Sequence, residues 1–240
     1  VTRPRLLDLF CGAGGAAVGY HRAGFDVVGV DIMPQPRYPF PFVQRDAMQV
    51  LEFIAGNAEP WPREDPNPAP FYPAAIHASP PCQDHSTTRD FGGPHGTGWM
   101  LGATIGTLSE LDVPWVVENV KTAGLPRQDD LFGAYGVELC GCMFSRTRGL
   151  LYEARLFQTS FPIATVPHRA HQWRQTKMGR PPVVGECMQI TGHFSDVPEG
   201  RRRMSLPWMT QGELAQAIVP EFTEHIGRQL LDALAGLPAP

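Results

Sequence analysis

Four short apolar runs in this chain stop at residues that carry chemistry, and that pattern limits the fold more than any other feature. Residues 6–10 run into a turn built from Gly12, Gly14 and Gly15. Residues 27–30 stop at Asp31, residues 74–78 at Ser79, Pro80, Pro81 and Cys82, and residues 115–117 at Glu118 and Asn119. A further short run, 42–44, leads to Asp46. The runs are too short for helices and rich in aliphatic residues, so they read as strands. Helical stretches fall between them at 16–23, closed by Gly24, and at 99–111. Strands alternating with helices imply an α/β protein with a doubly wound, mostly parallel sheet, whose ligands gather at the C-terminal ends of the strands. The two aspartates, the cysteine and the glutamate all sit at such ends.

With 240 residues, 42% of them apolar, the chain can bury one sizeable core. Gly and Pro number 25 each, yet the periodic runs exclude collagen-like, coiled-coil and wholly disordered chains. No run approaches the ~18 apolar residues of a membrane span. The first residues also lack the basic, apolar and small-residue succession of a secretory signal, so a soluble intracellular protein is expected. Five cysteines (Cys11, Cys82, Cys140, Cys142 and Cys187) are an odd, scattered set, which argues against a disulfide framework. Residues 59–73 hold six prolines and read as a surface connection.

The formal net charge is −4, but it is unevenly spread. Residues 142–203 carry ten Arg and Lys against four Asp and Glu, which reads as a small basic lobe of short elements beginning after Phe144. Residues 211–235 return to helical spacing through Leu214, Ile218, Phe222, Ile226, Leu230 and Leu234, interrupted at Pro220. That helix is expected to pack back on the sheet.

Read for chemistry, a glycine turn after a strand lets a ligand approach the backbone and a helix N-terminus, or is a plain structural turn. Asp31 at the next strand end is placed to accept both hydroxyls of a ribose. Ser79-Pro80-Pro81-Cys82-Gln83 stiffens the approach to a cysteine, as a nucleophile requires; its plainer reading is a buried thiol after a proline turn. Glu118 closes an apolar strand, where a carboxylate is costly without a function or a partner.

In order and spacing, DLFCGAGG at 8–15, SPPCQ at 79–83 and ENV at 118–120 resemble the DNA (cytosine-5) methyltransferases, in a compact, phage-like form. The resemblance covers roughly residues 5–160 and 205–232. It implies a Rossmann-like, S-adenosylmethionine-dependent methyltransferase fold with a catalytic and cofactor-binding domain at 1–157, a basic target-recognition lobe at 158–204 and a C-terminal segment at 205–240. Phe10 would stack on adenine, backbone around Cys11, Gly12 and Gly14 would approach the methionyl part, Asp31 would hold the ribose and Asp46 the adenine amino group. Asp8, Gly15, Ile32, Ala47, Pro80 and Gln216 complete the implied cofactor set. Cys82 would add to cytosine C6, Glu118 would donate to N3, Asn119 would fix the exocyclic amine or the loop, and Arg155 would reach O2. The base would be flipped out of duplex DNA. Contacts to DNA are expected from Gln83, His85, Ser86, Arg169, Arg174, Lys177, Arg201, Arg202 and Arg203. The resemblance also implies a monomer in the cytoplasm of a prokaryotic or phage-infected cell.

Two positions depart from the family pattern. Where the family has Gln-x-Arg-x-Arg, residues 151–155 keep only Arg155 and place an acid at Glu153; Gln216 stands where an asparagine is usual. These changes admit a different sulfonium donor, such as carboxy-S-adenosylmethionine, and one branch of the family acts on transfer RNA. A non-catalytic DNA-binding protein of the same fold is the alternative of another class. A nicotinamide oxidoreductase lacks its full glycine spacing here. The lobe is far shorter than the family's recognition region, so a very short or relaxed target sequence is expected. Trp173, amid Arg169, Arg174 and Lys177, is placed either to insert into DNA or to anchor the lobe's own core. Cys140 and Cys142 offer half of a zinc site with His168, His171 or Cys187, but the spacing fits no common pattern. An ordinary hairpin or loop without metal is the expectation there.

Overall fold

The computed structural model describes residues 2–56, 72–81, 98–120, 135–144, 150–168, 170–177 and 179–236. Strands β1 (Arg5–Leu9), β2 (Asp26–Asp31) and β3 (Phe42–Gln44) alternate with helices α1 (Gly15–Ala23) and α2 (Ala47–Ile54). Next come β4 (Ala75–Ala78), α3 (Trp99–Ser109) and β5 (Trp115–Asn119), then β6 (Tyr135–Cys140) and β7 (Ala154–Thr159). The last part holds a two-stranded sheet, β8 (Arg174–Gln175) with β9 (Glu186–Cys187), and helices α4 (Val197–Met204), α5 (Gln211–Gln216) and α6 (Pro220–Gly236). The main sheet has the order β3-β2-β1-β4-β5-β7-β6. The first five are parallel, and β7 runs antiparallel between β5 and β6. The doubly wound, mostly parallel sheet is as the strand pattern implied.

Because both faces are covered, the strands read as continuous apolar runs, and alternate residues feed two cores. Leu6, Val27, Ala75, Val116 and Phe157 join the core under α1 and α6. Leu7, Leu9, Val30, Ile76 and Val117 join the core under α2 and α3. Asp8 in the middle of β1 is the exception, fully buried beside His77 of β4. Burial, against the opposing effect of a hydrogen bond from Tyr38 (3.3 Å), pushes the Asp8 carboxyl up to about 8, and burial pushes His77 down to about 3. Their 4.0 Å approach is therefore a contact between two neutral groups, with His77 Nδ1 held 3.0 Å from Tyr20 Oη.

The C-terminal stretch differs from the single interrupted helix expected over 211–235. α5 ends at Gln216, three residues run extended, and Pro220 opens α6. Proline biases its predecessor away from helix and suits a first helical turn, so it splits the stretch into two helices. α6 packs along α1: Thr223 Oγ1 donates to the Ala16 carbonyl (2.8 Å), and Gly19 and Ala23, four residues apart, present small surfaces to it, while Gly15 abuts Ala217 and Ile218 just before it. Among the described residues, no helix is long and apolar enough to cross a membrane.

Candidate active site

β1 and β4 are neighbours, yet the chain leaves them toward opposite sides of the sheet. Such a switch point leaves a crevice beyond the strand ends. A cavity of about 710 Å³ lies there, lined from the β3 side by Asp46 and Asp31, past Phe10, Cys11 and Gly12, to Pro80, Glu118 and Arg155 on the β5 side. Ala215, Gln216 and Ala217 of the C-terminal segment supply another wall.

The turn after β1 is fixed by short-range geometry. Phe10 takes a left-handed backbone (φ 59), and its carbonyl accepts from Ser79 Oγ (3.2 Å). Gly14 precedes α1 at φ 92, and a Cβ there would meet the Pro39 ring at 2.8 Å, so only glycine fits. The Gly12 N–H donates to Asp31 Oδ2 (3.0 Å) and the Met33 N–H to Asp31 Oδ1 (2.9 Å). Each oxygen of the carboxylate keeps a second lone pair for a ligand hydroxyl. Asp46 caps α2 through Oδ1 and the Met48 N–H (2.8 Å).

At the β5 side, pairing of β5 with β7 sets Glu118 opposite Phe157, two residues from Arg155. Arg155 Nε approaches Glu118 Oε1 to 3.1 Å, an ion contact too poorly aligned to count as a hydrogen bond. Arg155 also contacts Glu153 at 2.5 Å, and both glutamates are buried. Two acids thus share one cation. Burial pushes Glu118 up to about 7; the Arg155 charge pulls it down and the Glu153 charge adds to the rise. Glu153 is likewise raised by burial against the pull of Arg155. Glu118 therefore carries a proton for much of the time near neutrality. Asn119, wholly buried, donates through Nδ2 to the Pro80 carbonyl (3.1 Å) and accepts the Val120 N–H at Oδ1 (2.9 Å).

Phe10, Cys11, Gly12, Gly15, Asp31, Ile32, Asp46, Ala47, Pro80, Glu118, Arg155 and Gln216 all line this one cavity. Asp8 and Gly14 do not line it, because Asp8 points into the core and Gly14 abuts Pro39 and Tyr38. Cys82, Gln83, His85, Ser86 and Arg169 lie outside the described residues. Sequence reasoning missed Arg37 and Glu213, which line the cavity and join the β2–β3 loop to α5 through hydrogen bonds of 2.7–3.0 Å. Thr210-x-x-Glu213 is a capping box and was visible as one in the sequence.

The expectation for the arginine run needs correction. Arg203 is buried and donates to the Leu150 carbonyl (2.7 Å), the Glu186 carbonyl (3.1 Å) and Glu199 (2.7 Å). Arg201 donates to the Met209 carbonyl (2.6 Å). Only Arg202 is exposed, and it is paired with Glu199. The fold spends Arg201 and Arg203 on its own carbonyls, whereas Arg174 and Lys177 are exposed. Trp173 is also largely exposed and lies over Gly185. Arg203→Ala should lower stability by about 2–4 kcal/mol, since it orphans buried acceptors, and Arg202→Ala by under about 0.5 kcal/mol. Urea unfolding midpoints compare them; equal losses would overturn the distinction.

No family profile matches the chain, and no curated protein matches it. Solved structures do. A protein of an E. coli prophage, described as a DNA modification methyltransferase, superposes with a TM-score of 0.58 at 15% identity, over 97% of this chain and 99% of that one. The Dnmt2 methyltransferase of S. pombe gives the same values. The Entamoeba histolytica methyltransferase EhMeth gives 0.52 at 12% identity, over 98% and 99%. This is a methyltransferase fold. At such identities the likeness is one of architecture, and the chemistry rests on the site.

Proposed function

We propose that the chain is a DNA (cytosine-5) methyltransferase that takes its methyl group from S-adenosylmethionine and uses Cys82 as its nucleophile. The observation that carries this reading is the buried Glu118–Arg155–Glu153 cluster on the wall of a cavity also lined by Phe10, Asp31 and Asp46. At about 710 Å³ the cavity lies within the ~300–1,000 Å³ of small-molecule sites, enough for an adenosyl cofactor beside a flipped base. Its donor set also fits the cofactor. Asp31 offers lone pairs to ribose hydroxyls, the free oxygen of Asp46 suits an adenine amino group, and Phe10 suits an adenine ring. S-adenosylmethionine, when bound, supplies an electrophilic methyl on a sulfonium sulfur.

The remaining work falls to the protein. Cytosine C5 is a poor nucleophile because the aromatic ring holds its electrons. The Cys82 thiolate attacks C6, forming the S–C6 bond, while the C5–C6 π pair shifts to C4–C5 and the C4–N3 π pair moves onto N3, which takes the Glu118 proton. The enamine that results is nucleophilic at C5. After C5 takes the methyl group, whose bonding pair to sulfur stays on that sulfur, a water acting as base removes the C5 proton, the C6–S bond breaks so that the cysteine leaves as thiolate, and N3 returns its proton to the Glu118 carboxylate. Arg155, fixed between two carboxylates, is placed to polarise O2 in the same step. Asn119 holds the Pro80 carbonyl, two residues before Cys82 in the chain. A base within a duplex cannot reach a crevice of this kind, so the target is flipped out.

Nucleoside mass spectrometry of DNA from cells expressing the protein tests the reading. Deoxycytidine is expected to gain one methyl mass. A heavier group would assign the cavity to a substituted sulfonium and point to Gln216 on its wall. Unmodified DNA alongside methylated RNA would move the substrate to RNA.

A further inference from the structure

The chain passes from β6, the edge of the main sheet, into a 3₁₀ turn at Gly141–Met143 that presents Cys140 and Cys142 together. A Cβ on Gly141 would meet the Leu151 carbonyl at 2.8 Å, so the Cys-Gly-Cys turn is pressed against the chain that leads into β7. His168 and His171, which fall between β7 and β8, come to the same place. One ligand atom from each of the four residues lies within 4.8 Å of every other. Cys187 is not one of the four, and its thiol donates to the Arg174 carbonyl at 3.4 Å.

His171 Nε2 lies 3.7 Å from Cys140 Sγ, 3.5 Å from Cys142 Sγ and 3.0 Å from His168 Nε2. An imidazole nitrogen has one in-plane lone pair or one N–H, and cannot make three hydrogen bonds. A shared cation in the middle removes the difficulty. Tetrahedral zinc with Zn–S near 2.3 Å and Zn–N near 2.0–2.1 Å sets sulfur about 3.6 Å from nitrogen and the two nitrogens about 3.3 Å apart. The three distances from His171 Nε2 are already close to those values.

We propose that Cys140, Cys142, His168 and His171 bind one zinc ion as a closed, structural Cys₂His₂ site. Four protein ligands leave no open position for catalysis, and mixed thiolate and imidazole donors select zinc over the hard oxygen-seeking cations. The site clips the basic lobe to the edge of the catalytic sheet. That lobe needs a clip: the described residues between β7 and β8 form neither helix nor strand, and β8 and β9 have two residues each. A segment with so little core is where a metal substitutes for buried apolar area. The Tyr152 ring, 4.2 Å from that of His171, backs the ligand edge-on. The inference does not depend on what the cleft catalyses.

The full chain, purified without a histidine tag or chelator and analysed by plasma mass spectrometry, should carry about one zinc per chain. Cys142→Ser and His168→Asn should each lower this to below about a tenth. Cobalt substituted for zinc should give the visible bands of a tetrahedral site with a sulfur charge-transfer band, and the latter should weaken in Cys142→Ser. Chelator should speed proteolytic cleavage within 161–173 at least ~10-fold. Should the variants fail to fold, the wild-type stoichiometry alone decides. A folded wild-type chain holding less than about a tenth of an equivalent after incubation with zinc, or one whose Cys140 and Cys142 are alkylated equally fast with and without zinc, overturns the proposal.

Discussion

Glu118→Gln is expected to lower single-turnover methyl transfer by about 10²–10⁴-fold, the usual range for a positioned proton donor, and Cys82→Ala to abolish it. On 5-fluorocytosine DNA the wild type should form a covalent adduct, Cys82→Ala none, and Glu118→Gln an adduct at a much reduced rate. The pH profile separates donation from mere packing. Glu118 is pushed up to about 7, so its proton is present below that value and lost as pH rises through it. The wild-type rate should therefore fall on the alkaline side of about 7, and Glu118→Gln should lose that limb. Glu153→Gln supplies the finer test. Burial is the largest cause of the Glu118 shift and remains, but the negative charge of Glu153 adds to it. Removing that charge should move the alkaline limb to lower pH without removing it. A Glu118→Gln enzyme within about threefold of wild type would sink the assignment, because no general acid contributes so little.

The acid substituted at Glu153 is thereby explained within the cluster. Read in one dimension, it replaced a cation near the base pocket and hinted at another cofactor. In three dimensions it meets Arg155 at Nη1 while Glu118 meets it at Nε, neutralises part of that cation and helps keep Glu118 protonated. Pairing between β5 and β7, distant in sequence, brings the three together, and no local pattern announces it.

The same distinction governs what could be read elsewhere. The parallel half of the sheet was legible because each strand is a local apolar run that ends at a glycine, proline or acid: 42–44 agrees with β3 end for end, and 27–30 lies inside β2. Glu118 and Asn119, read as lying just past their strand, are its last two residues. The antiparallel edge was harder. β6 reads YGVELC, with a glycine and a glutamate among its apolar residues, and it is a strand because β7 pairs with it. The arginine run misled because a sequence shows charge and not burial, and Arg203 is spent on carbonyls of Leu150 and Glu186. The Cys–His cluster was named in the sequence but read as an ordinary loop, for the opposite reason. Twenty-five residues separate Cys142 from His168, no common zinc spacing applies, and only the return of the chain past β6 closes the set.

Gly19→Ala is expected to be the most damaging single methyl in the fold. Alanine ordinarily stabilises a helix interior by up to about 1 kcal/mol relative to glycine. Here the added Cβ would fall inside contact distance of Thr223 Oγ1, the Pro220 carbonyl and, at 2.7 Å, the Glu224 backbone nitrogen. Two of these are backbone atoms of α6 and cannot rotate away, so α1 and α6 must separate. That parting also strains the Thr223 hydroxyl bond to Ala16 and the contact of Gly15 with the Ile218 carbonyl. Overpacking a flexible core costs about 1–3 kcal/mol; a rigid seam should cost about 4 kcal/mol or more, a large part of the ~5–15 kcal/mol that holds a domain together. Gly106→Ala is the control, since a Cβ there meets nothing within 4 Å in α3 and should be neutral or stabilising by up to about 1 kcal/mol. Urea unfolding of the two variants decides the matter. A loss below about 1 kcal/mol at Gly19 would mean that the helices slide apart freely. The C-terminal wall of the cavity would then be held from its other end, where Trp208 Nε1 donates to the Ala13 carbonyl (3.2 Å) in the glycine turn itself.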